Sequence, residues 1–122
     1  MNLGDAFLMG VPPDYQTNHL FFVISDPSKH GGTYVIVNIT RDWFRAGQEC
    51  ILGPSDHPWI NSTSYVSFTD TLEITPERDQ MISALIGTRI IMQNPLTPQT
   101  LAKVVAAANN STAIPLAYKK YL

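Results

Sequence analysis

A change of hydrophobic period near residue 75 is the feature that most constrains the fold of this chain. Before it, apolar residues alternate or run continuously over short stretches such as 33–40 (TYVIVNIT), which is typical of β-strands. After it, Thr75-Pro76 and Thr97-Pro98 each give a helix start, and apolar residues recur three to four positions apart. The sequence therefore predicts a β-rich body followed by two helices.

The strands are predicted to be short because nine prolines and seven glycines divide the chain into brief segments. The expected strands cover 6–10, 19–25, 33–40, 50–52, 64–74 and 88–93. The stretch 41–49 has no strand pattern and is expected to be an irregular excursion. Helix faces are expected from Ile82, Leu85 and Ile86 in the first helix, and from Leu101, Val104, Val105 and Ala108 in the second. The predicted class is mainly β (α+β), a small antiparallel barrel or half-barrel with two C-terminal helices.

The size and composition fit one domain over residues 1–122. Apolar residues make up 44% and charged residues 15% of the 122 residues, which is a globular composition. The single cysteine, Cys50, excludes an internal disulfide and is expected to be a buried, inert thiol. The chain opens without a charged-then-apolar leader, and no apolar run is long enough to span a bilayer. We therefore expect a cytoplasmic protein without a membrane anchor.

The charges are distributed unevenly although the net charge is only −2. Residues 1–79 hold ten acidic and four basic residues, a net charge of −6, and residues 80–122 hold four basic residues and no acid. Such asymmetry is found where a basic face meets phosphates or an acidic protein segment, and equally where cations are simply solvated.

Four short sequence motifs lie at the ends of the predicted strands. Gly4-Asp5 precedes the first strand, Asp26-Pro27 follows the second, Thr40 ends the third, and a later strand begins Ser64-Tyr65-Val66. Over roughly residues 3–75 this succession resembles the PemK/MazF-type toxins, small SH3-like barrels from bacterial toxin–antitoxin pairs. The resemblance implies a homodimer that cuts single-stranded RNA without a metal or other cofactor, and an antitoxin whose acidic tail fills the RNA groove.

The resemblance carries over only part of the family's catalytic pair. The threonine that ends the third strand matches Thr40, but Asn18-His19 stands where the family has Arg-Pro. Either an imidazole has replaced the arginine, or this chain does something else. Three functions therefore stay open: a metal-independent endoribonuclease, a non-catalytic protein-binding module on the same barrel, or a purely structural accessory domain.

Metal-free RNA cleavage needs a base for the 2′-hydroxyl, an acid for the leaving oxygen and a cation for the phosphate. Histidine suits the first two roles near neutral pH. We expect His19 and His57 to lie at one rim of the barrel as the acid–base pair, with Thr40 assisting. The residues expected to bind the substrate are Lys29, Arg41, Trp43, Arg45, Trp59 and Ser64.

Two aromatic motifs have competing interpretations. In His57-Pro58-Trp59-Ile60, Trp59 is either a stacking wall for a base or a core residue together with Ile60. The segment Thr40-Arg41-Asp42-Trp43-Phe44-Arg45 interleaves cations with aromatics, which fits single-stranded RNA, a protein partner or a dimer contact. No cysteine or histidine spacing typical of a metal site and no phosphate-binding glycine motif is present.

Overall fold

The computed structural model describes residues 1–122 as six strands, three α-helices and two short 3-10 helices. The strands are β1 (Ala6–Val11), β2 (Asp14–Val23), β3 (Tyr34–Thr40), β4 (Ile51–Leu52), β5 (Ser64–Ile74) and β6 (Ile90–Gln93). The α-helices are α1 (Trp43–Ala46), α2 (Pro76–Leu85) and α3 (Pro98–Asn110). The 3-10 helices span Pro27–Lys29 and Leu116–Tyr121.

All six strands form one antiparallel sheet in the order β4-β5-β3-β2-β1-β6. The sheet curls into a half-barrel, and its edge strands β4 and β6 do not pair with each other. The predicted α+β class, with a small antiparallel β-body and two late helices, is confirmed. It takes the half-barrel form rather than that of a closed barrel.

Strand β3 is buried from both sides because apolar layers cover both faces of the sheet. Val37 faces a core cluster of 17 buried residues, to which α3 contributes Val104. Ile36 faces a second cluster of 8 buried residues, to which α2 contributes Ile82. Each such side chain contributes roughly 1.5–3 kcal/mol by leaving water. Consecutive residues of β3 therefore serve two cores, which explains why the strand reads as a continuous apolar run.

The two late helices begin where the sequence predicts. The Thr75 side chain accepts a hydrogen bond from the Arg78 backbone N–H at 3.4 Å, and Thr97 caps α3 in the same way through Thr100 at 3.2 Å. The predicted buried face of the first helix is wrong beyond Ile82. Leu85 and Ile86 are exposed because α2 ends at Leu85, and Ile86 forms an isolated backbone bridge with Ile90 of β6 instead of continuing the helix. No helix is both long and apolar enough to cross a membrane.

Two segments differ from the sequence-based expectation. The excursion 41–49 contains α1, which begins because the Asp42 carboxylate accepts a hydrogen bond from the Arg45 N–H at 3.2 Å. Strand β2 begins at Asp14 rather than at His19, since its ladder with β1 extends along the hairpin. The side chains of 14–18 are all exposed, so this half of the strand carries no apolar pattern.

The position of Cys50 generates a prediction about its reactivity. The residue is 4% exposed within the larger core, and burial raises the pKa of its thiol to about 11. We expect the native protein to react negligibly with a thiol reagent such as DTNB at pH 8, and to react fully once unfolded in guanidinium chloride. Rapid stoichiometric labelling of the native protein would contradict this placement.

Candidate functional site

A groove opens at the point where β2 and β3 stop pairing. The last paired residues of the two strands are Phe21 and Asn38. Continuing the same register would set His19 opposite Thr40, but β2 follows its hairpin partner β1 away from β3 there. Both residues line the cavities that open beside this gap.

This groove has a volume of about 490 Å³ and is closed on its far side by the loop before β5. We call it the Arg41 groove, and its lining residues are Thr17, Asn18, His19, Ile39, Thr40, Arg41, Trp59, Ile60, Asn61 and Ser64. Five of the residues predicted from the sequence meet here: His19, Thr40, Arg41, Trp59 and Ser64.

The groove carries positive charge without a compensating carboxylate in its lining. Arg41 is exposed, and its guanidinium donates a hydrogen bond to the Asn61 side-chain oxygen. No aspartate or glutamate lines the groove. An oriented guanidinium in an acid-free groove favours a phosphate or carboxylate group.

Thr40 and His19 bring a hydroxyl and an imidazole to the groove. The Thr40 hydroxyl oxygen accepts a hydrogen bond from the Asp42 N–H at 3.1 Å, so its own proton is free to be donated to a bound oxygen. His19 is partly exposed at the groove. A hydrogen-bond donor, an imidazole and a guanidinium thus surround one space.

His57 does not form the predicted pair with His19. Its ring is 3% exposed and packs against Phe22, with ring centroids 6.2 Å apart. Its Nε2 lies 2.7 Å from the Asn94 carbonyl oxygen, and its Nδ1 accepts the Trp59 backbone N–H at 3.0 Å. The ring is thus buried with both nitrogens hydrogen-bonded inside the chain, and the structure does not bring it to the groove where His19 lies. It holds the loop that carries Trp59.

The two residues that follow His57-Pro58 differ in burial. Ile60 is 3% exposed and belongs to the larger core. Trp59 is 41% exposed and lines the Arg41 groove. Asp56, in the same loop, connects it to α3: its carboxylate accepts a hydrogen bond from the Thr100 hydroxyl at 3.3 Å and forms a salt bridge with the Lys103 ammonium at 3.5 Å.

The other predicted substrate-binding residues either lie outside the Arg41 groove or are hydrogen-bonded within the chain. Lys29 lies in the 3-10 helix that joins the opposite ends of β2 and β3, away from the groove. Trp43 sits on α1 and stacks on Phe44 at a centroid distance of 4.0 Å, outside the groove. Ser64 lines the groove but is 5% exposed, and its hydroxyl donates to the Ser62 carbonyl at 3.1 Å.

A second cavity adjoins the groove and shares His19 and Thr40 with it. We call it the Asn38 pocket; its volume is about 510 Å³. It is formed by 11–14 of the β1–β2 turn, by 69–72 of β5, and by His19, Phe21, Asn38, Thr40 and Arg45. Arg45, which was predicted to bind the substrate, therefore lies in this pocket rather than beside Arg41.

Sequence reasoning missed the amide side chains of both cavities. Asn18 and Asn61 line the Arg41 groove, and Asn38 lines the neighbouring pocket. The available signal was at Asn38, the one amide in the otherwise apolar run of β3. Asn18 and Asn61 lie in polar surroundings, where nothing in the sequence distinguishes them from other surface residues.

The contrast between His57 and His19 can be measured by thermal or urea unfolding. We expect His57→Ala to lower the free energy of unfolding by about 2–4 kcal/mol, because it removes two hydrogen bonds and buried ring packing. We expect His19→Ala to change it by less than about 1 kcal/mol, since this ring is partly exposed. Equal stability of the two variants would contradict the supporting role of His57.

Comparison with known proteins identifies a similar fold for this chain but no matching family. No protein-family model matches the sequence, and no curated protein matches it. Among solved structures, the chain is similar to an endoribonuclease in complex with its cognate antitoxin from a mycobacterial species, with a TM-score of 0.56 and 14% sequence identity. The match covers 94% of this chain and 95% of that one. The protein thus has the fold of a toxin endoribonuclease, and its resemblance to the PemK/MazF-type toxins holds at the level of the fold.

Proposed function

We propose that this protein is the toxin of a toxin–antitoxin pair and cleaves single-stranded RNA in the cytoplasm without a metal ion. The observation that supports this most directly is the Arg41 groove, where His19, Thr40 and Arg41 surround one acid-free space. Its position on a fold shared with an endoribonuclease supports the same reaction class.

In the proposed reaction, neutral His19 takes the proton of a ribose 2′-hydroxyl. The 2′-oxygen then forms a bond to the adjacent phosphorus while the bond from phosphorus to the 5′-oxygen breaks, which leaves a 2′,3′-cyclic phosphate. The leaving 5′-oxygen takes a proton from the imidazolium that has formed, or from water. One histidine in two successive roles replaces the pair that was expected from the sequence.

Arg41 and Thr40 would stabilise the phosphate in this reaction. Negative charge grows on the non-bridging oxygens as the phosphorus becomes five-coordinate, and an oriented guanidinium offsets that charge. The Thr40 hydroxyl oxygen accepts a hydrogen bond from the Asp42 N–H, which leaves the hydroxyl hydrogen available for donation to one of these oxygens. Trp59, exposed on the groove wall, offers a face for stacking an unpaired base.

The second candidate function, protein binding, is favoured by α1. Phe44 is 82% exposed and Trp43 is 44% exposed, and their rings stack on each other at the surface. Two adjacent exposed aromatics are typical of an interface core. We propose that this aromatic pair contacts an antitoxin, and that the chain acts as a homodimer, as the family resemblance implies.

The nuclease proposal predicts a specific loss of activity. His19→Ala should lower kcat/KM on single-stranded RNA at least about a hundredfold, and Arg41→Ala at least about tenfold, because each removes a group that acts on the phosphate. The measurement is cleavage of a fluorescent oligonucleotide in the presence of EDTA, where the wild type should retain its activity.

Matched variants control for non-specific effects. His30→Ala removes a histidine that packs on Tyr121, and Arg89→Ala removes an exposed arginine before β6. Both residues lie outside the groove, so both variants should cleave RNA normally. Unchanged activity in His19→Ala and Arg41→Ala would end the nuclease proposal, and dependence on a divalent cation would end its metal-free form.

The aromatic pair predicts a separate phenotype. Replacing Trp43 and Phe44 by Ala should weaken binding of the proposed antitoxin at least about tenfold, since exposed aromatics often dominate interface energies. RNA cleavage by the same variant should stay within a factor of about three, because neither ring lines the groove. Full antitoxin affinity in the double variant would exclude this surface as the contact.

A further inference from the structure

The side-chain partner of Arg41 is an amide rather than a carboxylate. The guanidinium donates a hydrogen bond to the Oδ1 of Asn61, and Arg41 forms no salt bridge within the chain. The carboxylate of Asp42, the next residue, caps α1 through the Arg45 N–H instead of pairing with Arg41. Arg41 therefore has a hydrogen-bond acceptor beside it that leaves the positive charge of the guanidinium uncompensated.

The arginine of the neighbouring pocket is held differently. The Nη2 of Arg45 lies 3.2 Å from the Oδ2 of Asp70, and both residues line that pocket. A carboxylate partner offsets the charge of a guanidinium, whereas an amide partner does not. Of the two cavities, only the Arg41 groove thus offers a cation whose charge is fully available to a ligand.

Asn61 extends from a loop that is anchored to the interior. It directly follows Ile60, which is 3% exposed and whose N–H donates to the His57 carbonyl at 3.0 Å. Asp56, in the same loop, pairs with Lys103 of α3 at 3.5 Å. The amide is therefore presented by a backbone segment that buried contacts hold in place, although the amide itself is exposed.

The hydrogen bond joins two residues of the groove lining that are 20 positions apart in the sequence. An arginine side chain without a partner samples many rotamers, and a partner that holds it reduces the conformational entropy lost when a phosphate binds. Building on the proposed function, we propose that Asn61 is a positioning residue, which orders the Arg41 guanidinium for a phosphate without neutralising its charge.

Removal of the acceptor tests the positioning role. Asn61→Ala leaves the charge of Arg41 in place but removes its partner, so kcat/KM on single-stranded RNA should fall by roughly threefold to tenfold. The matched control is Asn109→Ala on the exposed end of α3, which should cleave RNA like the wild type. Wild-type kcat/KM in Asn61→Ala would overturn the proposal.

A double variant separates positioning from a merely structural role. Without the guanidinium Asn61 has nothing to position, so adding Asn61→Ala to Arg41→Ala should change kcat/KM by less than about twofold. The unfolding temperatures of all these variants should stay close to that of the wild type, because both residues are exposed. An Asn61→Ala effect that is equally large in the absence of Arg41 would overturn the proposal.

The neutrality of the partner can be tested by binding, without cleavage. Asn61→Asp keeps the size of the side chain but places a carboxylate beside Arg41. With a 2′-O-methyl oligonucleotide, the slope of log Kd against log salt concentration should be smaller in this variant than in the wild type by about 0.7, the value of one phosphate contact on a single strand. Asn109→Asp, which adds the same charge outside the groove, should keep the wild-type slope. An unchanged slope in Asn61→Asp would contradict the role of the neutral amide.

Inorganic phosphate separates this inference from the proposed function if the wild type cleaves no RNA. In NMR spectra of the wild type, phosphate should shift the Nε–H signal of Arg41 and the side-chain amide signal of Asn61. Asn61→Asp should need at least about a tenfold higher phosphate concentration for the same shift at Arg41. Phosphate binding without cleavage would end the nuclease proposal and leave the positioning role intact. No shift at either residue would overturn the positioning role, whatever the outcome with RNA.

Discussion

The early end of the ladder between β2 and β3 is the constraint on which the candidate site depends. Pairing stops at Phe21 and Asn38, although both strands continue, because β2 remains bound to β1 through the long hairpin. Had the ladder continued, His19 and Thr40 would lie directly opposite each other as a pair within it, and the gap would be closed. The divergence of two strands therefore creates both cavities and gives them a common wall.

The candidate site also depends on a buried side chain, His57. The loop before β5 lacks regular structure, yet it forms one side of the Arg41 groove. Its geometry rests on the buried ring of His57, which bonds the Asn94 carbonyl on one side and the Trp59 N–H on the other. A histidine that was expected to do chemistry is instead the reason why an exposed tryptophan faces the groove.

The sequence predicted the fold well because its signals are local. Strand β3 has a β-branched run, and both late helices have a threonine cap followed by proline. The site was predicted only in part, because its assembly depends on long-range register. Thr40 and Arg41 are adjacent in sequence, and their link to His19 follows from the strand pairing. The burial of His57 and the remote position of Lys29 depend on how loops pack against distant elements, which no local pattern encodes.

The burial of β3 on both faces has a consequence for how this protein can change over evolution. Its apolar positions are held by two separate packing layers, so most replacements there would cost stability before they affected activity. Asn38 belongs to neither layer and faces a cavity. One cavity-facing position in a strand that is otherwise packed on both faces can thus change its side chain while the two packing layers around it stay fixed.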